Sequence, residues 1–395
     1  MLSMNFLNEF DLKKDLIYLN SGTLSISPRS VLDAVVRYQR KFEENPTAEL
    51  IESWSRLWDV QKELAEFICA DPHDLFLRSN ITAALNDFLL GIPLEAPGEI
   101  LATNLEYGAI LNICRLRAER DGLKLRSLHL PTACEEPEMD QKSIVDRIVS
   151  EIRPETRLLL VSHVVTGTGV VIPIQELALE TQKRGVFLVV DGAHAPGAID
   201  VDFRTFEGID FYGGNLHKWI MGPKGTGFGW VPKRHQSILR PIQAGWTTFE
   251  IPLPFEKFGD RQLFTARYLL ASCDNFAPFF ALHEIFEFWK KHGKSAIFCR
   301  LRELQRCVDD EVTQSLGWSR LSPSQLEMRG PLLSYDLPDS LAEMGYSLME
   351  KLLREHRLQI MVTPVQGRFR LRLSPHIYNT EAEIRTAVQV LKRLA

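Results

Sequence analysis

The sequence predicts an α/β protein built on a mostly parallel sheet, with a smaller α+β unit towards its C-terminal end. Three observations carry this expectation. Between about residues 74 and 231, short apolar runs alternate with helical patterns of ten or more residues, which is how βαβ units read in sequence. Beyond about residue 255 the pattern changes to a long helical region, a few short strands and a closing helix. The chain also has 395 residues, and domains of about 100–200 residues are typical, so two domains are expected.

The elements follow in order. DLFLRSN (74–80) reads as a strand entering a turn, and ITAALNDFLLGI (81–92) sets Ile81, Ala84, Leu85, Phe88, Leu89 and Ile92 on one helical face. EILATNLEY (99–107) is a strand and is followed by a helix from about Ala109 to Asp121. LKLRSLHL (123–130), RLLLVSHV (157–164), GVFLVVDGAHA (185–195), IDFYGG (209–214) and GTGFGWV (225–231) bring the strands to seven. DQKSIVDRIVSEI (140–152) and IPIQELALETQKRG supply further helices. A helical stretch over 274–316 then precedes strands near LLSYDLP and FRLRLSP and the helix TEAEIRTAVQVLKRL. The expected division is a large α/β domain over 15–255 and a small α+β domain over 256–395, with residues 1–14 free to pack on the latter.

Composition narrows the function. The chain is 45% hydrophobic and 25% charged, with a net charge of −5, as expected of a globular protein with a large core. The absence of a basic excess argues against nucleic acid or an anionic membrane as partner. Six cysteines form no CxxC pair and no disulfide-like framework, which suits a reducing cytoplasm. The N-terminal stretch MLSMNFLNEFDLKKD carries acids and no sustained apolar run, so neither a signal peptide nor a membrane anchor is expected. The expectation is a cytoplasmic protein.

Parallel sheets bind ligands beyond the carboxyl ends of their strands, and four groups of polar residues fall there. Arg78-Ser79-Asn80-Ile81-Thr82 opens a helix, where free N–H groups either receive a cap or cup an anion such as phosphate. Asp191 ends the apolar run Val186–Val190. A buried acid there needs a partner, which is an arginine, a helix N-terminus, a protonated heterocycle or a metal. Asn215-Leu216-His217-Lys218 ends the next strand in FYGGNLHKW. A lysine desolvated at such an edge loses basicity and becomes a nucleophile towards aldehydes, and the paired glycines leave room for close approach of a ligand. Finally, Arg368, Arg370 and Arg372 alternate on one face of a strand, either as a solvated edge or with one of them gripping a carboxylate. A phosphate cup, an acid for a pyridinium nitrogen, a Schiff-base lysine and a carboxylate-binding arginine are together what pyridoxal phosphate needs to act on an amino acid.

SHVVTGTGVVIPIQEL, VVDGAHAPGAIDVD, YGGNLHKWIMGPKGTGF and RLRLSPHIYNT together resemble the class V aminotransferase family of fold type I pyridoxal-phosphate enzymes. The resemblance runs from about residue 19 to 380, and GNLHKW and LEYGAI are most similar to its isopenicillin N epimerase-like branch. It implies a seven-stranded sheet sandwiched by helices, pyridoxal 5'-phosphate as cofactor and no metal. It further implies Lys218 as the Schiff-base lysine, Asp191 as partner of the pyridine nitrogen, Tyr107 stacked on the ring, and Thr166 and His194 near the ring hydroxyl. Ile81, Thr82, Asn215 and His217 would hold the phosphate, and Arg372 with Asn20 the substrate. Tyr107 and His194 thereby join Lys218 and Asp191 as candidate catalytic residues. Ser272, in Ala271-Ser272 where relatives carry Gly-Thr, would reach the phosphate of a neighbouring subunit, implying a homodimer with shared sites; Trp246 and Thr247 in AGWTTFE would also reach across. No cysteine follows Cys307, so the mobile nucleophilic cysteine of desulfurases is missing and cysteine desulfurase activity is not expected.

The expected reaction is epimerase-like or cysteine/cystine lyase-like chemistry at Cα, with transamination to a keto acid as the alternative. A metallohydrolase using His163, Asp191, His194 and His217 is the rival from another class. It leaves Lys218 unexplained. GPKGTGFG (222–229) is glycine-rich, but has neither the P-loop order nor the dinucleotide-binding spacing.

Overall fold

The computed structural model describes residues 6–245, 248, 263–269 and 274–395. Its central sheet has seven strands: β2 (Leu75–Arg78), β3 (Glu99–Thr103), β4 (Lys124–Leu128), β5 (Thr156–Ser162), β6 (Phe187–Asp191), β7 (Phe211–Asn215) and β8 (Gly227–Trp230), after a short β1 (Ile17–Tyr18) elsewhere. Their order is β2-β8-β7-β6-β5-β3-β4. Only β8 runs against its neighbours. Residues 216–226 join it to β7 without a helix, and a parallel return needs a longer crossover.

The strand interiors are apolar on both faces because both faces are covered. Leu158, Leu160 and Val189 point into one core with Phe88 and Phe211. Leu159, Val161, Leu188 and Val190 point into the other with Trp219 and Phe228. This is the period of two of a strand, with helices on either side. One of these helices, α3 (Ile81–Gly91), follows two longer ones, α1 (Arg29–Glu44) and α2 (Pro46–Ile68). Asn80 caps α3 by accepting a hydrogen bond from the Ala83 N–H at 2.9 Å.

The helical stretch expected over 274–316 is three helices, Ala277–Phe280, Leu282–His292 and Lys294–Ser315. Gly293, at φ +80°, makes the second break, a conformation that costs glycine little. Beyond them a three-stranded antiparallel sheet is formed by β9 (Leu333–Asp336), β11 (Met361–Val365) and β12 (Arg368–Leu373) in the order β11-β12-β9, with β10 (Leu358–Gln359) lying apart. The edge strand β11 contains Pro364, which masks it in sequence because proline is tolerated only at sheet edges.

One connection matters most for the site. β1 pairs in parallel with β10, and the Ser21 N–H donates to Ser374 O while the Ser374 N–H donates to Leu19 O. Residues 17–21 therefore line up beside the end of β12, although the sequence division assigns them to the large domain. The expected boundary near residue 255 lies outside the described residues, as do Ser272, Trp246 and Thr247.

Candidate active site

Asp191 closes β6 and Asn215 closes β7, and the two strands run in parallel with Asp191 opposite Gly213. The loop that follows β7 therefore delivers His217, Lys218 and Trp219 to the edge where Asp191 sits. The glycines of FYGG have a different task from the one expected. A Cβ on Gly213 would meet Ile81 Cγ1 at 2.9 Å, and one on Gly214 would meet Phe228 Cε1 at 2.5 Å. They let α3 and the side chains of β8 close on the strand rather than opening space for a ligand.

Lys218 Nζ lies 3.1 Å from His194 Nε2. Burial lowers its pKa to about 8; the charge of Asp191 works the other way and Arg372 reinforces the drop. Asp191 is buried, which raises its carboxyl pKa, while the Ala193 N–H and the charge of Lys218 oppose the rise. Its Oδ1 accepts that N–H at 2.8 Å. Among the described residues nothing donates to Oδ2. A buried carboxylate with one oxygen unserved is a receptor for a positively charged N–H.

His194 is buried and its pKa is held well below the usual range, by desolvation first and by Lys218 and Arg372 second. Its Nε2 also lies 2.9 Å from Thr166 Oγ1. Arg372 closes the group: Nη1 donates to Thr166 Oγ1 (3.2 Å) and O (3.3 Å), and Nη2 to Thr23 Oγ1 (2.7 Å) and Asn20 Oδ1 (3.3 Å). Its Nε is buried without an acceptor among the described residues, and burial lowers the guanidinium pKa to about 10. The other two arginines of the strand face elsewhere: Arg368 pairs with Asp336 and Asp339, and Arg370 with Asp336.

At the start of α3 the Ile81 N–H is already engaged, donating to Asn215 Oδ1 at 3.0 Å. Thr82 keeps its N–H and hydroxyl without partners among the described residues. His217 directs Nδ1 to Thr226 O at 3.0 Å, and burial takes its pKa to about 4. The ring is therefore neutral and its Nε2 carries a lone pair; an anion would have to bring a proton with it. Tyr107 opens the helix α4 (Gly108–Asp121) and is 54% exposed, an aromatic face left open beside the site.

Two residues here were not singled out from sequence. Thr23 sits in the LNSGT stretch but shows its role only when β1 and β12 are seen side by side. Glu106, in LEY, is buried, accepts from Thr103 Oγ1 at 2.6 Å and Ser162 Oγ at 2.5 Å, and is pushed up to about 7 by burial. An acid just after a strand was a usable signal for it. Trp219, which follows Lys218 in the same loop, donates its indole N–H to His194. The four residues of the metallohydrolase reading do not converge: His163 Nδ1 faces Tyr212 Oη at 2.9 Å, and His217 faces Thr226. Among the described residues no group of three or more His, Cys, Asp or Glu could hold a metal ion, and no helix is long and apolar enough to cross a membrane.

Fold and site together are those of an α/β protein with a lysine amine and a buried acid gathered at one edge of its sheet. The chain belongs to the class V aminotransferase family: the sequence pattern described as "Aminotransferase class-V" matches residues 17–386. It is 33% identical to an isopenicillin N epimerase from Streptomyces clavuligerus, over 96% of this chain and 94% of that protein. A probable cysteine desulfurase from Xylella fastidiosa is 27% identical over 77% of this chain and 72% of its own. Among solved structures, a variant of C-DES with glycine covalently linked to its PLP cofactor superposes with a TM-score of 0.86 at 20% identity, covering 98% of this chain and 99% of that one. The fold is thus the expected fold type I. One expectation is overturned. Probable cysteine desulfurases are relatives of this chain over most of its length, so the missing cysteine after Cys307 does not exclude it from that group.

Proposed function

We propose that the protein is a pyridoxal-phosphate-dependent enzyme that acts at Cα of an amino acid, in the manner of the isopenicillin N epimerases. The observation that carries this reading is the partly buried Lys218 amine, lowered to about 8, beside Asp191, whose second oxygen has no donor among the described residues. The residues fit the cofactor: an acid oxygen for its ring nitrogen, an open aromatic at Tyr107, and the Thr82 N–H and hydroxyl with the Asn215 amide for its phosphate. His217 would join them once protonated, and the Ile81 backbone would contribute through its tie to Asn215. When bound, pyridoxal phosphate supplies an aldehyde and an electron-withdrawing ring that spreads negative charge away from Cα.

The protein's own residues do the rest. Lys218 would hold the cofactor's aldehyde, and its neutral Nζ would take and return the Cα proton. Asp191 would keep a proton on the ring nitrogen, and Thr166 and His194 would serve the ring hydroxyl. Arg372, held in place by Asn20, Thr23 and Thr166, grips the substrate carboxylate.

Arg372→Lys should raise KM about 10–100-fold with a smaller change in kcat, because an ammonium cannot reproduce the two-pronged guanidinium contact. A KM within twofold of the wild type would remove Arg372 from substrate binding.

The reaction is decided by a panel of amino acids, cysteine included, incubated with and without a keto acid. Scrambled stereochemistry alone identifies an epimerase, keto acid and ammonia without acceptor a lyase, and acceptor dependence an aminotransferase. Alanine with protein-bound sulfur identifies a desulfurase, and no turnover of any amino acid would sink the reading. The nearly full-length relation to isopenicillin N epimerases at 33% identity favours the first outcome.

We further propose a cytoplasmic homodimer, divided into a large domain around the seven-stranded sheet and a small one around the three-stranded sheet, with Ser272, Trp246 and Thr247 serving the partner's site. Sedimentation should give twice the 45.1 kDa chain mass. A monomer at micromolar concentration would refute the shared site.

A further inference from the structure

Trp219 follows the lysine, is fully buried, and stacks on His376 with ring centroids 5.6 Å apart and an interplanar angle of 25°. Its single polar atom, the indole N–H, donates to His194 Nδ1 at 3.4 Å. An indole N–H is only a donor, so Nδ1 must offer its lone pair. The environment of His194 keeps its imidazole neutral, and a neutral ring with a bare Nδ1 carries its proton on Nε2.

Nε2 has two neighbours, Thr166 Oγ1 at 2.9 Å and Lys218 Nζ at 3.1 Å. A protonated Nε2 facing an ammonium would set N–H against N–H. Facing a neutral amine, it meets a lone pair. We propose that Trp219 is a positioning residue whose indole N–H fixes His194 as the Nε2–H tautomer, and that this tautomer selects the neutral, nucleophilic amine of Lys218.

The other groups facing Lys218 are Asp191 at the end of β6, which favours the ammonium, and Arg372 on β12, which disfavours it. The His194 contact acts with Arg372. His217, from the same loop as Lys218, is neutral and adds no charge. The proposal rests on the reading of Lys218 as the covalent lysine, but its physical content is the protonation of two side chains and is measurable without turnover.

Trp219→Phe keeps a ring over His376 and deletes the donor. In the full-length protein labelled with 15N-histidine, the His194 resonances are assigned by their loss in His194→Asn. The wild type should show the proton on Nε2. Competitive acetylation of the cofactor-free protein across pH, read on the Lys218 peptide by mass spectrometry, should place the midpoint about one pH unit higher in Trp219→Phe. Loss of a packing contact alone would leave that midpoint where it was. A wild-type His194 protonated on Nδ1, or an unchanged Lys218 midpoint in folded Trp219→Phe, overturns the proposal. If Trp219→Phe does not fold, His194→Ala provides the same labelling test, since it removes the donor facing Nζ. A borohydride adduct on another lysine would overturn the covalent role of Lys218 and leave the tautomer result standing.

Discussion

Replacing Lys218 by alanine should abolish the borohydride-stable adduct between protein and pyridoxal phosphate and lower turnover by more than about 10³-fold, because on the proposed reading the covalent anchor and the proton carrier at Cα are one amine. Mass spectrometry of reduced wild-type and Lys218→Ala protein reads the first effect, and a normal adduct in the variant would end the assignment. The pH dependence in the wild type follows from the direction of the shift. The neutral amine is the nucleophile, and its pKa is lowered from 10.5 to about 8. The rate of adduct formation should therefore climb about tenfold per unit through the acid side and level off above about pH 8. At pH 7 an amine of pKa about 8 is neutral about 300 times more often than one left at 10.5. A rate that kept rising past pH 10 would show that burial does not tune this lysine.

Asp191→Asn should lower turnover by about 10²–10⁴-fold with the fold intact. The amide keeps the volume, and its oxygen can still accept the Ala193 N–H that Oδ1 accepts at 2.8 Å. What it lacks is the negative charge that keeps a ring nitrogen protonated. The carboxyl is buried and pays for desolvation, with its pKa raised as a result, so an uncharged replacement relieves that cost and the melting temperature should hold or rise. Thermal melts beside kinetics separate the two effects. Full activity in a folded Asp191→Asn would dismiss the pyridine-nitrogen role, and a collapsed melting temperature would recast Asp191 as a structural acid.

Much of the large sheet was readable from sequence because its information is local. Runs such as Leu158–Val161 and Leu188–Val190 are apolar at every position since both faces of the strand are covered, and the polar residue that ends each run, Ser162 or Asp191, marks the strand edge. Elements whose reason for being is distant were harder. β11 hides behind Pro364, and the long helical stretch conceals the turn at Gly293. The glycines of FYGG pointed correctly to crowding but to the wrong neighbour: Ile81 and Phe228 fill that space.

The same line runs through the site. Lys218 and Asp191 could be named from sequence because Asp191 ends one buried strand and Lys218 follows the end of the next, and parallel neighbours bring such ends together. Arg372 could be named but not its setting. Its partners Asn20 and Thr23 lie about 350 residues away in the chain and reach it because residues 17–18 pair with β10 and residues 19–21 bond to Ser374 just past the end of β12. Tertiary structure alone decided which of three alternating arginines turns inward. It also decided that the Ile81 amide is already spent on Asn215, and that the tryptophan beside the lysine aims its one N–H at His194. A chain records which residue types are present and how they alternate; which lone pair faces which proton is settled only when distant segments pack.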